Sequence, residues 1–179
     1  MENCSVFDRC HTARFRVSGK GTFEKIKLLL EINDDIITQD KVFRSSGADR
    51  FDFIAMAEDD GLLLAGDRNA LSSLQEKLAG LEICDLSDDL AHLDIAGAKL
   101  ESVLEEFDIA PEEIPLGNQV LKKCVAEVNA ILIQSVRFKT PAVTLIFNAE
   151  YAEGMWEEFV ETYPVKPAGF SAYDALTEE

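Results

Sequence analysis

The chain has 179 residues, 47% of them hydrophobic and 28% charged, which is enough for one domain or for two small lobes sharing a core. Its 34 acids against 17 bases give a formal net charge of −17, which repels phosphate backbones and anionic lipid surfaces and argues against a nucleic-acid or membrane partner. No apolar run approaches the ~20 residues that span a bilayer, and the opening M-E-N-C-S-V-F-D-R-C-H is polar rather than signal-like, so a cytoplasmic location is the expectation.

Four cysteines are present, Cys4, Cys10, Cys84 and Cys124, with no C-x-x-C pair. Cys4, Cys10 and His11 offer three soft ligands, but their spacing fits no standard zinc pattern and a fourth ligand is not evident. Cys84 and Cys124 lie in strand-like runs and read as small buried hydrophobes. Reduced thiols are expected.

Residues 13–18, A-R-F-R-V-S, alternate apolar and polar as a half-buried strand does. G-K-G-T follows, with Thr22 placed to cap a helix whose Phe23, Ile26 and Leu30 recur at helical spacing. Residues 33–40 read as a loop, 50–57 as a second strand, and Glu58–Gly61 as a hairpin turn. G-L-L-L-A-G is then a short buried strand, and Asp67 precedes a helix with Leu71, Leu74 and Leu78 on one face.

The pattern starts again at A-H-L-D-I-A-G, residues 91–97, followed by a helix carrying Leu100, Val103, Leu104 and Phe107. Pro111, Pro115 and Gly117 mark an irregular connection. Two longer strands are expected over 120–128 and 130–138, and a last one over V-T-L-I-F after Pro141. A final helix places Ala152, Met155, Trp156, Phe159, Val160 and Tyr163 on one stripe. Pro164 and Pro167 help to stop it, and a loosely held tail is expected beyond. From Glu150 to Glu179 there are eight acids and one base, Lys166, which reads as a solvated face or as a docking surface for a basic partner.

Set over one another with a shift of 78 residues, Phe15, Val17 and Gly19 fall on Leu93, Ile95 and Gly97. G-L-L-L-A-G-D-R-N-A-L and V-T-L-I-F-N-A-E-Y-A-E then correspond with a slightly larger shift. Each half reads strand, helix, two or more strands, helix. The inference is a duplicated α+β unit, with antiparallel strands on one layer and helices on the other. Its first lobe covers 12–82 and its second 83–163, followed by an acidic tail at 164–179.

The duplication bears on V-S-G-K-G-T-F-E-K, residues 17–25, where a strand runs through two glycines into a helix. The frame of a phosphate-binding loop, G-x-x-x-x-G-K-[ST], is absent. The second half makes the corresponding turn as A-G-A-K-L, without Gly21 or Thr22. A strand-to-helix turn required twice by the fold explains the glycine more simply than a phosphate cradle. No catalytic, cofactor-binding or metal residue is assigned. His92 lies in phase with Asp94, opposite Leu93 and Ile95, and is expected to face solvent. The acidic pairs Asp88-Asp89, Glu105-Glu106 and Glu112-Glu113 carry no sign of a shared cleft.

D-L-S-D-D-L-A-H-L-D-I-A-G-A-K-L-E-S-V-L, residues 85–104, resembles a stretch of the gamma subunit of heterotetrameric sarcosine oxidase and, more loosely, of the folate-binding domains of the glycine-cleavage T-protein. The resemblance continues through D-I-A-P-E-E-I-P-L-G-N and ends at Y-A-E-G-M-W-E-E-F, while D-G-L-L-L-A-G looks like the family's first half. It covers about residues 12–163 as an ordered series of short motifs. It implies a T-protein-like fold of two related lobes. It also implies a non-catalytic subunit of an assembly that oxidatively demethylates sarcosine and passes the one-carbon unit to tetrahydrofolate. Flavin and folate would be held mainly by larger partner subunits, and no cofactor by this chain alone. Ala98 stands where the family often has Pro, and Ala149-Glu150 where it often has Arg-Ser. The alternative is a stand-alone or homodimeric folate-binding module or aminomethyltransferase-like protein.

Overall fold

The computed structural model describes residues 4–32, 37–45, 51–163 and 165–177. The chain forms two compact units, one of His11–Asp88 and one of Asp89–Glu179 together with Met1–Cys10. Both are α+β.

The first strand, β1 (Cys4–Asp8), belongs to the sheet of the second unit. The first unit holds β2 (Ala13–Ser18), α1 (Thr22–Leu30), β3 (Lys41–Arg44), β4 (Phe51–Ala57), β5 (Asp60–Ala65), α2 (Leu71–Lys77) and β6 (Glu82–Asp85). Its sheet runs β3-β4-β5-β2-β6, with antiparallel neighbours. On one face Phe15, Val17, Phe53 and Leu63 are fully buried with Ile26 of α1 and Leu74 of α2. The other face is buried too, through Val42, Ile54, Leu62 and Leu64. This is why β5 reads as an unbroken apolar run instead of an alternating one.

Gly61 is fixed by close approach. It faces Ala55, next to the one-residue bulge between Ala55 and Ala57, and a Cβ there would lie 2.5 Å from the Ile54 carbonyl oxygen and 2.6 Å from Phe53 Cε2.

The second unit adds β7 (Leu90–Gly97), α3 (Leu100–Glu105), β8 (Val120–Val125), β9 (Val128–Gln134), β10 (Ala142–Asn148), α4 (Ala152–Glu157), β11 (Val165–Pro167) and α5 (Phe170–Leu176). Its sheet runs β8-β9-β10-β7-β1-β11. The four strands of each repeat therefore share one order, β3-β4-β5-β2 in the first unit and β8-β9-β10-β7 in the second. The fifth position is exchanged. β6, which precedes β7 in the chain, pairs with β2, and β1, which precedes β2, pairs with β7. Val6, Leu93, Ile95, Leu104, Val143, Leu145 and Phe159 form the main core. Phe107 packs on Phe159 and Tyr163 at 4.7 and 4.6 Å between ring centroids.

Several expectations are corrected. The segment read as a loosely held tail forms β11, which pairs in parallel with β1, and α5, whose Tyr173 packs on Phe7 and Phe138. The partner strand lies some 160 residues away along the chain, so no local pattern announces it. The strands expected over 120–128 and 130–138 are instead Val120–Val125 and Val128–Gln134. They flank a two-residue turn, Ala126-Glu127, with φ of 47° and 65°. Both turn residues are left-handed, as a tight hairpin needs, but neither is the Gly or Asn that would signal it. Cys84 and Cys124 are exposed, not buried, because they point outward from the edge strands β6 and β8. Thr22 does not cap α1; Gly21 occupies the cap and the Thr22 hydroxyl donates back to the Gly19 carbonyl, 2.6 Å away. Of the expected loop at 33–40, residues 33–36 lie outside the described residues, as do Arg50 and Pro164.

Candidate functional site

The glycine turn after β2 is closed by the protein itself. Gly19 and Gly21 have φ of 124° and 82°, which L side chains rarely adopt. The Gly19 N–H donates to the Asp59 carbonyl at 3.0 Å, and the Gly21 N–H to the Asp59 carboxylate at 3.3 Å. A carboxylate from the β4–β5 hairpin thus takes the place a bound anion would occupy in a phosphate loop. In the second repeat Gly97 also has positive φ, 149°, and its N–H donates to the Pro141 carbonyl at 3.0 Å. Both copies are turns satisfied by neighbouring strands.

A buried set of ionisable groups lies on the second face of the β7 strand. Alternation puts Leu93 and Ile95 into the main core and turns His92 and Asp94 the other way, as expected. That face is covered, however. His92 is 6% exposed and Asp94 2%, so the expected solvent-facing histidine is a buried one. A central strand with both faces covered carries no solvent side, and the alternation alone does not reveal this. Asp94 lies opposite Thr144 of β10, whose hydroxyl donates to it. His92 Nε2 is 3.6 Å and Arg9 Nε 3.9 Å from the carboxylate. The Arg9 guanidinium in turn sits 4.1 Å from the centre of the Tyr173 ring.

Burial by itself would push the Asp94 carboxyl up. The hydrogen bond and charge of His92, the Thr144 hydroxyl and the Arg9 charge outweigh it and hold the group below the usual carboxylate range. Burial and the Asp94 charge push the Tyr173 phenol up. Through the Asp94 carboxylate and the Arg9 guanidinium just after β1, the strands β7 and β10 and the helix α5 are tied together. The arrangement is closed to solvent and its chemistry is that of a structural clasp. Arg9, within the polar opening stretch, and Tyr173, within the expected tail, are the members that pattern reasoning missed.

The remaining sequence candidates do not converge. Cys4 is buried, with its thiol pushed up by burial, and the Cys10 thiol points to the His92 carbonyl at 3.9 Å. His11 is exposed. Among the described residues no group of three His, Cys, Asp or Glu side chains is placed to hold a metal. The paired acids Asp88-Asp89, Glu105-Glu106 and Glu112-Glu113 are all exposed, and Glu113 pairs with Lys123 at 2.6 Å. No helix among the described residues is long and apolar enough to cross a membrane.

No protein-family model matches the chain, and no curated protein matches it significantly. Among solved structures it is similar to the glycine cleavage system aminomethyltransferase T from Bartonella henselae, with a TM-score of 0.81 and 18% identity over 98% of this chain and 50% of that one. It is also similar to heterotetrameric sarcosine oxidase from Corynebacterium sp. U-96, with a TM-score of 0.64 and 17% identity over 84% of this chain and 78% of that one. At such identities the likeness is one of fold, and the fold is aminomethyltransferase-like. The chain spans half the length of the aminomethyltransferase.

Proposed function

We propose that this chain is a non-catalytic structural subunit, like the gamma subunit of heterotetrameric sarcosine oxidase, in a folate-linked oxidative demethylation assembly. The observation that carries this reading is the fold correspondence over 84% of this chain and 78% of a chain of the heterotetrameric enzyme. The ordered motifs of residues 85–159 support it from the sequence side. The buried charges support it as well: Arg9, His92 and Asp94 are engaged with one another inside the second unit rather than presented to a substrate.

Expressed alone, the chain is expected to generate no peroxide from sarcosine. Tagged in its source cell, it is expected to co-purify with a larger, flavin-containing chain. Sarcosine-dependent peroxide formation by the isolated chain would defeat the non-catalytic role. A second reading, a folate-binding module, draws on the likeness to the aminomethyltransferase over 98% of this chain. Titration with tetrahydrofolate separates the two. Saturable binding to the isolated chain supports the second reading, and none at millimolar ligand removes it.

A further inference from the structure

The chain passes between its two units twice, from β1 to β2 and from β6 to β7. The strands on either side of these passages pair with one another, β1 with β7 and β2 with β6, both antiparallel. The first ladder runs from Cys4 opposite Gly97 to Asp8 opposite Leu93, and the Arg9 N–H extends it by donating to the His92 carbonyl at 2.9 Å. The second runs from Phe15 opposite Asp85 to Ser18 opposite Glu82, and the Leu86 N–H extends it by donating to the Arg14 carbonyl at 2.8 Å. Only residues 10–13 of one strand and 87–91 of the other lie between the ladders, and the register slips by a single residue across them, as at a bulge.

At this joint stands Arg14, the bulkiest of the fully buried side chains among the described residues, with 0% exposure. Its guanidinium donates to the Ser87 carbonyl and, at 3.3 Å, to Thr12 Oγ1, and its backbone N–H donates to Ser87 Oγ at 3.0 Å. Thr12 and Ser87 are buried as well, and all three residues belong to the first unit. The Ser87 N–H donates to the Asp85 carboxylate at 2.9 Å, which fixes the backbone that carries the Ser87 carbonyl. One side chain thus holds both passages, at Thr12 on the way into β2 and at Ser87 on the way out of β6. A guanidinium does not give up its charge in a protein. Once buried it must keep its acceptors, because a buried charge that loses them is strongly destabilising. Opening one passage alone is opposed for that reason, and the joint opens as a whole. An arginine that serves a ligand presents its donors to a cleft, whereas Arg14 presents none to solvent.

We propose that Arg14 is the pin of this joint and makes the two units unfold as one, although each has a sheet and a core of its own. The exchanged strands supply the means. β1 lies in the sheet of the second unit and continues into β2 of the first, and β6 lies in the sheet of the first and continues into β7 of the second. β2 and β7 are both interior strands, paired on each side. With the joint held, disorder in the first unit reaches the ends of β1 and β7 directly. With the joint loose, the two passages become slack linkers, and units with separate cores open separately. The inference does not depend on the reading of the chain as a subunit.

The test is urea unfolding of the full chain, followed by two probes. Trp156 is the single tryptophan and packs on the core of the second unit, so its fluorescence reports that unit, whereas far-UV circular dichroism reports both. Leu74→Ala removes buried apolar volume from the core of the first unit and serves as the control for plain destabilisation. In wild type the two midpoints are expected to coincide. In Leu74→Ala both are expected to fall together, because the pinned joint carries the damage from the first unit to Trp156. In Arg14→Met the circular dichroism midpoint is expected to fall while the Trp156 midpoint stays near that of wild type. If Arg14→Met does not fold, Arg14→Lys, which keeps the charge but lacks the fork that reaches two acceptors, carries the same comparison. Amide exchange supplies a second reading. In Arg14→Lys the amides of Arg14 and Leu86 are expected to lose protection at least about tenfold, with those of Ile54 and Leu63 unchanged. Two probes that fall together in the Arg14 variant, as they do in Leu74→Ala, would make Arg14 a core residue like any other and overturn the proposal. Separate midpoints in wild type would overturn it too, since there would be no coupling to explain.

Discussion

Replacing Asp94 with Asn leaves the Arg9 guanidinium buried without its carboxylate and weakens the bonds from Thr144 and His92. Breaking a buried charged cluster from one side costs about 3–5 kcal/mol, so Asp94→Asn is expected to lower the urea midpoint strongly, whereas Thr144→Val, which removes one hydrogen bond, costs about 1–2 kcal/mol. The pH dependence follows from the direction of the Asp94 shift. A carboxyl held below its unfolded value, ~3.9, adds stability above that pH, and loses it as pH falls through the lower folded value. The stability difference between wild type and Asp94→Asn is therefore expected to be full near neutrality and to shrink below about pH 4. A difference that stays constant down to pH 2 would contradict the account of the clasp. At Gly61 the argument is steric. Gly61→Ala drives a methyl into the Ile54 carbonyl and the Phe53 ring, and is expected to cost about 2 kcal/mol or more of stability in urea denaturation, in the range of overpacking. Gly19 and Gly97 were legible in the sequence as paired turns, because they fall at the same place in two copies of one pattern. Asp94 was legible only as a face, since burial of that face depends on residues far along the chain.

At the scale of elements, the strands and helices with local periodicity were read with little error: β2, β4, β5, β7 and β10, and the apolar stripe of α1. The elements that escaped are short and are fixed by partners distant in sequence. β3 has four residues and β11 three, β1 is fixed by antiparallel pairing with β7 some 90 residues on, and β11 by parallel pairing with β1 at the other end of the chain. The β8–β9 turn shows a different limit. Its left-handed residues, Ala126 and Glu127, are tolerated by the hairpin rather than chosen for it, so the usual turn signal is missing. Glu127→Gly is expected to relieve that strain and raise stability by about 0.5–1 kcal/mol in chemical denaturation. The C-terminal helix is held chiefly through Tyr173, which packs against Phe7 and Phe138 at 5.5 and 5.1 Å and under the Arg9 guanidinium. Tyr173→Ala is expected to cost about 3 kcal/mol, the range for truncating a buried aromatic. Amide exchange should then show α5 and β11 losing protection before β7 and β10. Uniform loss across the sheet would mean that the segment is not held in this way.

For the molecule as a whole, the duplication visible in Phe15-Val17-Gly19 and Leu93-Ile95-Gly97 corresponds to two sheets with one strand order. The exchange of β1 and β6 between them was not visible, because strand pairing across the repeat leaves no trace in the hydrophobic pattern. The fold supports many roles, so the functional proposal rests on the correspondence with a chain of a heterotetrameric enzyme and on the ordered motifs of residues 85–159. The direct measurement is size-exclusion chromatography of the tagged protein purified gently from its source cell, followed by absorbance at flavin wavelengths and mass spectrometry of each peak. The account predicts that the chain elutes in stoichiometric complex with a larger flavin-bearing subunit. Elution of the whole population as a free monomer, with no flavin and no second chain, would contradict it.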